Sequence, residues 1–246
     1  MKSKTGILIT TLTAIAFING CGGGSDGAAD SEDIRTSGLH ATIEVTSDDD
    51  NRSEISVILR VGNSSSNTFL TLTSDDTITA LLNDSLSQLV DIKDGRQYRT
   101  SFNSTGAGLD TASYRISFTR PNDDDAPNST VTMPAGLTGL TSNPATTFSR
   151  GTEVLTLSWN ATATNNSIPI SITGDCIENT SVTVQSSTGV FAINPTTITS
   201  DSTPEENCEV TVISEESRSG TIDPAYGEGG VISAKRITSM TLTSTP

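Results

Sequence analysis

The sequence predicts an all-β protein built from two antiparallel β-sandwich domains in tandem, residues 37–135 and 136–246, behind a flexible N-terminal tether. Apolar residues recur with period two: Ala41, Ile43 and Val45, then Ile55, Val57, Leu59 and Val61, and later Ile168, Ile170 and Ile172. Alternation of this kind marks a strand with one buried face. Clusters of Asn, Asp, Gly and Ser separate these runs, the residue types that build tight turns. Aromatic residues make up only 4% of the chain while Ser and Thr are abundant. That composition fits a β-rich secreted chain, and for part of the length it equally fits a disordered polar one.

Taken in order, the chain opens on MKSKTGILITTLTAIAFING, residues 1–20, with Lys2 and Lys4 ahead of an apolar run from Ile7 to Ile18. The run is too short for a membrane span and carries the flanks of a secretory signal. Its end, Ile18-Asn19-Gly20-Cys21, resembles the lipobox of bacterial lipoproteins, although leucine is commoner than Ile18 and Asn19 is unusual. The resemblance implies that Cys21 is lipidated and becomes the mature N-terminus, anchoring the protein to a membrane. Each buried methylene contributes about 0.8 kcal/mol, so several acyl chains hold a domain almost permanently. Gly22, where aspartate would signal retention in the inner membrane, implies the outer membrane. Residues 21–36, which include GGGSDGAADSED, have nothing to bury and read as a flexible acidic tether reaching on the order of 20 Å.

Charge narrows the class of partner. The formal net charge is −15, and removing Lys2 and Lys4 with the signal leaves 12 basic side chains against 29 acidic ones. Such a balance opposes binding to nucleic acid or an anionic lipid surface, which need clustered Lys and Arg. With Cys21 committed to lipid, Cys176 and Cys208 are left for each other in an oxidising compartment. A disulfide between them would contribute roughly 3–4 kcal/mol in the chain-entropy model. A metal site from two cysteines lacks histidine or further thiols nearby.

In the first domain the expected strands are 39–45, 55–61, 68–73, 77–82, 97–103 and 112–120, closed by a short strand at 131–133. Leu82, Leu86, Leu89 and Val90 have helical spacing, so a helical turn is expected within 81–92. The Gly/Pro breaks of 134–144 mark the boundary. In the second domain the expected strands are 153–159, 168–172, 181–185, 189–193, 209–213 and a C-terminal run, 231–243. Trp159 precedes Cys176, so the tryptophan is expected to pack near the bridge. Immunoglobulin domains place a tryptophan against an inter-sheet disulfide in a similar way, although there it lies between the two cysteines; the sandwiches are immunoglobulin-like in that loose sense. Ser117-Phe118-Thr119-Arg120 and Thr147-Phe148-Ser149-Arg150 share a Phe-x-Arg core too short to define a repeat.

Catalytic signatures are sparse. The single histidine, His40, stands at the start of the first strand, and no G-x-S-x-G, S-x-x-K, H-E-x-x-H, phosphate loop or C-x-x-C occurs. Two aspartate-rich turns remain, Asp48-Asp49-Asp50-Asn51 and Asn122-Asp123-Asp124-Asp125-Ala126-Pro127. Calcium takes six to eight oxygens at flexible geometry, which makes Asp48, Asp50, Asp123 and Asp125 candidate ligands. The second turn resembles the interdomain calcium linker of cadherins but lacks that family's partner glutamates. The alternative is two solvated hairpin turns, where Asp and Asn are favoured for backbone reasons.

Residues 126–134 (APNSTVTMP), 148–151 (FSRG), 157–159 (LSW) and 220–230 (GTIDPAYGEGG) are similar to uncharacterised lipoproteins of proteobacteria, which supports an envelope location and implies no activity. The expected function is therefore a non-catalytic, lipid-anchored interaction or structural module with an envelope protein or glycan as partner and no obligatory cofactor. A calcium-dependent adhesion module and an envelope glycan hydrolase are the alternatives, the latter needing close carboxylates and an aromatic platform.

Overall fold

The computed structural model describes residues 27–48, 52–73, 75–92, 96–103, 111–201 and 207–246. Cys21 and Asp50 lie outside these residues. The strands run, in chain order, β1 Gly27–Asp30, β2 Leu39–Ser47, β3 Arg52–Val61, β4 Thr68–Thr71, β5 Thr77–Leu82, β6 Leu86–Leu89, β7 Asp91–Ile92, β8 Tyr98–Asn103 and β9 Ser113–Thr119. They continue as β10 Ala126–Thr132, β11 Thr141–Asn143, β12 Thr147–Ser149, β13 Leu155–Ser158, β14 Ser167–Gly174, β15 Thr180–Gln185, β16 Val190–Ile193, β17 Cys208–Ser219 and β18 Gly230–Thr245. The all-β sandwich class read from the alternation is what the chain adopts.

Two hydrophobic clusters form the cores. The first gathers Ile43, Leu59, Ile78, Tyr114 and Phe118, among others, between the β2–β3 side and a four-stranded sheet ordered β10-β9-β5-β6. The second gathers Phe148, Leu157, Ile170 and Val212 beneath a three-stranded sheet ordered β11-β13-β16. Both clusters share one large sheet. Eight strands join into a single surface along the path β1-β4-β3-β2-β18-β17-β14-β15, and β7, β8 and β12 pair beside that path to make eleven.

The link is β18. Its first seven residues pair in parallel with β2, from Gly230 opposite Ala41 to Arg236 opposite Ser47. Its last three pair in parallel with β12, and β17 runs antiparallel to it from Cys208–Ser244 to Ser219–Ser233. At about 3.3 Å per residue, 16 residues span roughly 50 Å. The even-numbered residues of β18 from Ile232 to Ser244 face inward; Ile232, Ala234, Arg236, Thr238, Leu242 and Ser244 are buried and Met240 is half-buried. Both smaller sheets therefore pack on the same face of the large sheet, and its other face is open to solvent from end to end.

Within that class, several details differ from the expected ones. The C-terminal run, expected wholly in the second domain, is divided: Tyr226, Ile232 and Ala234 belong to the first core and Leu242 to the second. The reason is β18's length, which exceeds one sandwich. Some pairings are parallel rather than antiparallel, because β1, β12 and β18 each dock beside a strand far away in sequence. The short closing strand at 131–133 is the end of a longer one, β10, whose register shifts between Ala126 and Ser129.

The helical turn expected within 81–92 is a hairpin. Asn83 and Asp84 both have positive φ, 50° and 54°, and the Ser85 N–H donates to the Leu82 carbonyl at 3.1 Å. That is a type I′ turn, whose twist matches its flanking strands and which Asn and Asp tolerate. The period-two set Ile78, Ala80 and Leu82 is buried, and turn chemistry with this alternation overrides the helical spacing of the leucines. The tether is also shorter than expected: within the expected 21–36 tether, Gly27–Asp30 form an edge strand and Ser31 and Thr36 are fully buried.

Candidate functional site

The acidic turn at 122–125 closes around a buried cation. Arg120 follows β9 and is 5% exposed. Its Nε donates to Asp76 Oδ2 at 3.0 Å, and its Nη1 to Asp123 Oδ2 at 2.9 Å, the Ile34 carbonyl at 2.8 Å and Thr36 Oγ1 at 3.1 Å. Nη2 donates to the Ser31 carbonyl. One planar guanidinium, with five N–H groups in a fixed fork, thus ties the N-terminal segment to the first sandwich. The turn's own carboxylates complete the node: Asp125 Oδ1 accepts the Arg120 backbone N–H at 2.6 Å and Asp123 Oδ2 the Thr36 N–H at 2.8 Å.

Burial pushes the Asp123 carboxyl up, but the backbone N–H groups of Asp124 and Thr36 and the charges of Arg120 and Arg35 outweigh it. The carboxyl is held below the usual aspartate range. Deeper in, Tyr226 has its hydroxyl pushed far above the ordinary tyrosine value, first by burial and then by the neighbouring Asp223. Asp223 itself is 4% exposed and caps the loop by accepting the Asn128 N–H at 2.7 Å and the Ala225 N–H at 2.9 Å.

Of the calcium candidates, Asp123 and Asp125 share this node and spend oxygens on Arg120 and on backbone amides. Asp48 is exposed just past the opposite end of β2, separated from them by nine strand residues, about 30 Å. Asp50 lies outside the described residues. Among the described residues no group of three or more His, Cys, Asp or Glu side chains is placed to hold a metal ion.

On the open face of the large sheet, Glu44, Thr46, Asp48, Arg52, Glu54, Ser56, Gln97 and Arg99 line a shallow groove of about 300 Å³. Arg99 Nη1 meets Glu54 at 3.1 Å and Lys235 meets Glu215 at 3.1 Å, both pairs well exposed. Exposed pairs of this kind hold side chains in place for little energy. His40 sits on the same face opposite Arg60. Its Nδ1 is buried and has no hydrogen-bond partner among the described residues.

The second sandwich ends in the covalent bond expected of its cysteines. Cys176 and Cys208 are joined, with Cα atoms 5.7 Å apart. Arg150, 3% exposed, lies against this end: Nε donates to Ser200 Oγ at 2.7 Å and Nη1 to Ser244 Oγ at 3.2 Å and Cys176 Sγ at 3.4 Å. Trp159 and Cys176 share the second core, and the indole N–H donates to the Ser186 carbonyl at 2.9 Å. The Phe-x-Arg echo thus has a physical content. Phe118 and Phe148 are both buried, and each precedes a buried arginine that fastens one end of the molecule.

Charge is distributed unevenly between the halves. From residue 126 to residue 200 only Arg150, Glu153, Asp175 and Glu178 are charged, and they cluster at the disulfide end. Strands β13, β14, β15 and β16 carry no charge at all. Strands β15 and β16 are the edges of the two facing sheets there, joined by the short turn at 186–189. Sequence reading alone missed this region, although its missing charges were visible.

No family model matches this chain, and no curated protein matches it. Among solved structures it is similar to the FN1–FN3 domains of chicken CNTN1, with 6% identity and a TM-score of 0.31, covering 83% of this chain and 66% of that one. It is also similar to a two-domain fibronectin type III segment of chicken tenascin, with 15% identity and a TM-score of 0.24, covering 70% of this chain and 88% of that one. This chain spans just under two thirds of the chicken CNTN1 fragment.

Proposed function

We propose that this chain is a lipid-anchored envelope protein whose two sandwiches act together as a rigid, non-catalytic spacer and binding module. The observation that carries the reading is β18, braced along most of its length by β17: this one strand belongs to both sandwiches. Tandem domains joined by a linker swing independently. Here relative motion would break ladder hydrogen bonds, so the halves move as one body about 50 Å long on the strand rise.

Its orientation follows from the chain path. Only residues 22–26 separate Cys21 from β1, at most about 22 Å fully extended from Cys21 to the strand's first residue. Anchored there, the first sandwich lies beside the membrane and the disulfide end points away from it. The open face, with paired charges and hydroxyls rather than a nucleophile set beside a base, suits recognition of an envelope protein or glycan.

The test is Cys21→Ser in the native host. The expected result is a shift of the protein from the membrane pellet to the soluble fraction and loss of labelling by a fatty-acid analogue. Retention in the pellet would overturn the anchor. Cross-linking in intact envelopes, read by mass spectrometry, then reports the partner and the sandwich that touches it.

A further inference from the structure

We propose that the charge-free edge of the second sandwich pairs two copies of this chain, β15 against β15 in antiparallel register about a two-fold axis. Strand β15 reads TSVTVQ and, among the described residues, has one neighbouring strand, β14. An edge strand presents a row of backbone donors and acceptors, and monomeric proteins blunt such edges with Lys, Pro, bulges or a covering loop. Two other edges here are blunted. Strand β10 is covered by the 220–229 loop through paired bonds between Thr130 and Thr221 at 2.8 Å. Strand β1 has only four residues and runs straight into the segment held by Arg120. Strand β15 has six residues, with no charge, no proline and three β-branched side chains among its four central positions.

The second observation is electrostatic. A copy of this chain carries a large negative charge, so two copies repel wherever charged faces meet. Ser181, Thr183 and Gln185 of β15 and, opposite them, Ser171, Pro169 and Ser167 of β14 share the open face in register, and none is charged. The facing edge, β16, adds Val190, 51% exposed. Depletion of Asp, Glu and Lys is the compositional mark of an interface centre, and a two-fold axis needs a patch that complements itself. An uncharged β-branched edge meets that condition, whereas the charged face of the first sandwich does not. The pairing would extend the eleven-stranded sheet through both copies. It rests on the second sandwich alone and is independent of the lipid anchor.

The experiment is sedimentation equilibrium of the full chain carrying Cys21→Ser, alongside a variant that also carries Ser181→Lys and Thr183→Lys. Both lysines sit on the solvent face of the edge strand, and circular dichroism checks that the fold is kept. The expected result is twice the chain mass for the parent and a single chain mass for the lysine variant. Thr42→Lys, on the open face of the first sandwich, should leave the dimer intact. Hydrogen exchange at residues 180–185 should slow as concentration rises. A parent of single mass at its highest soluble concentration, with open-edge exchange at 180–185, overturns the proposal; so does a dimer that survives both lysines.

Discussion

The two sandwiches solve one problem with different materials. Each must fasten a chain end beside a buried Phe-x-Arg. In the first, rich in charge, Arg120 draws in two carboxylates and two backbone carbonyls. In the second, nearly free of charge along its sheets, hydroxyls and the disulfide sulfur meet Arg150, and a covalent bond does the fastening. A buried guanidinium is tolerable only when its N–H groups are satisfied. What satisfies them follows the local composition of each half.

The comparison can be broken most sharply at Arg120. Arg120→Met leaves Asp76, 6% exposed, and Asp123 without their cation. Breaking a buried pair from one side costs about 3–5 kcal/mol. Urea unfolding should show that loss, and adding Asp76→Asn should return part of it. A neutral outcome would mean the node does not brace the first sandwich.

Next comes the disulfide. Replacing both Cys176 and Cys208 with serine frees a loop of 32-residue separation, worth about 3–4 kcal/mol in the chain-entropy model. Hydrogen exchange should show faster opening in β14, β17 and β15 than in β2 and β3. Equal loosening of both halves would show that the shared sheet spreads the damage.

The smallest effect is acid. The folded pKa of Asp123 is lowered, so its contribution to stability is complete above the ordinary aspartate value and is lost as pH falls through the lower folded value. Stability should therefore decline below about pH 4, and Asp123→Asn should remove that part of the slope. An unchanged slope would assign the acid sensitivity to other carboxylates.

Much of the fold was legible because alternation is a direct consequence of burial on one face. The expected strand at 77–82 coincides with β5, and Ile168, Ile170 and Ile172 point into the core as expected. What was not legible depends on distant partners. Nothing in the β18 sequence says that its first half docks on β2 and its second on β12. The leucines of 81–92 mimic a helix until the Asn83-Asp84 turn is recognised. Arg120 carries no local signal of burial, since its ligands come from Ser31, Ile34, Asp76 and Asp123. For the same reason the acidic turn, read as a calcium candidate, could not be recognised as an arginine's counter-ion. The charge-free stretch could have been seen, but only the sheet order makes β15 an edge.

One feature of the chain path bears on how the protein is made. Residues 220–236 fill part of the first core, and Gly220 and Gly227 press so close to Thr130 and Ser37 that an added Cβ would lie 2.1 Å and 2.4 Å from their carbonyl oxygens. A ribosome delivers that segment after β1 to β17. The first sandwich, although its other strands emerge early, stays unfinished until residues 220–236 have been made. Completing the first core is therefore a late step, taken after strands β11 to β17 have been made. Contacts spanning that much sequence make the step slow and give a chaperone a long interval in which to hold the incomplete chain.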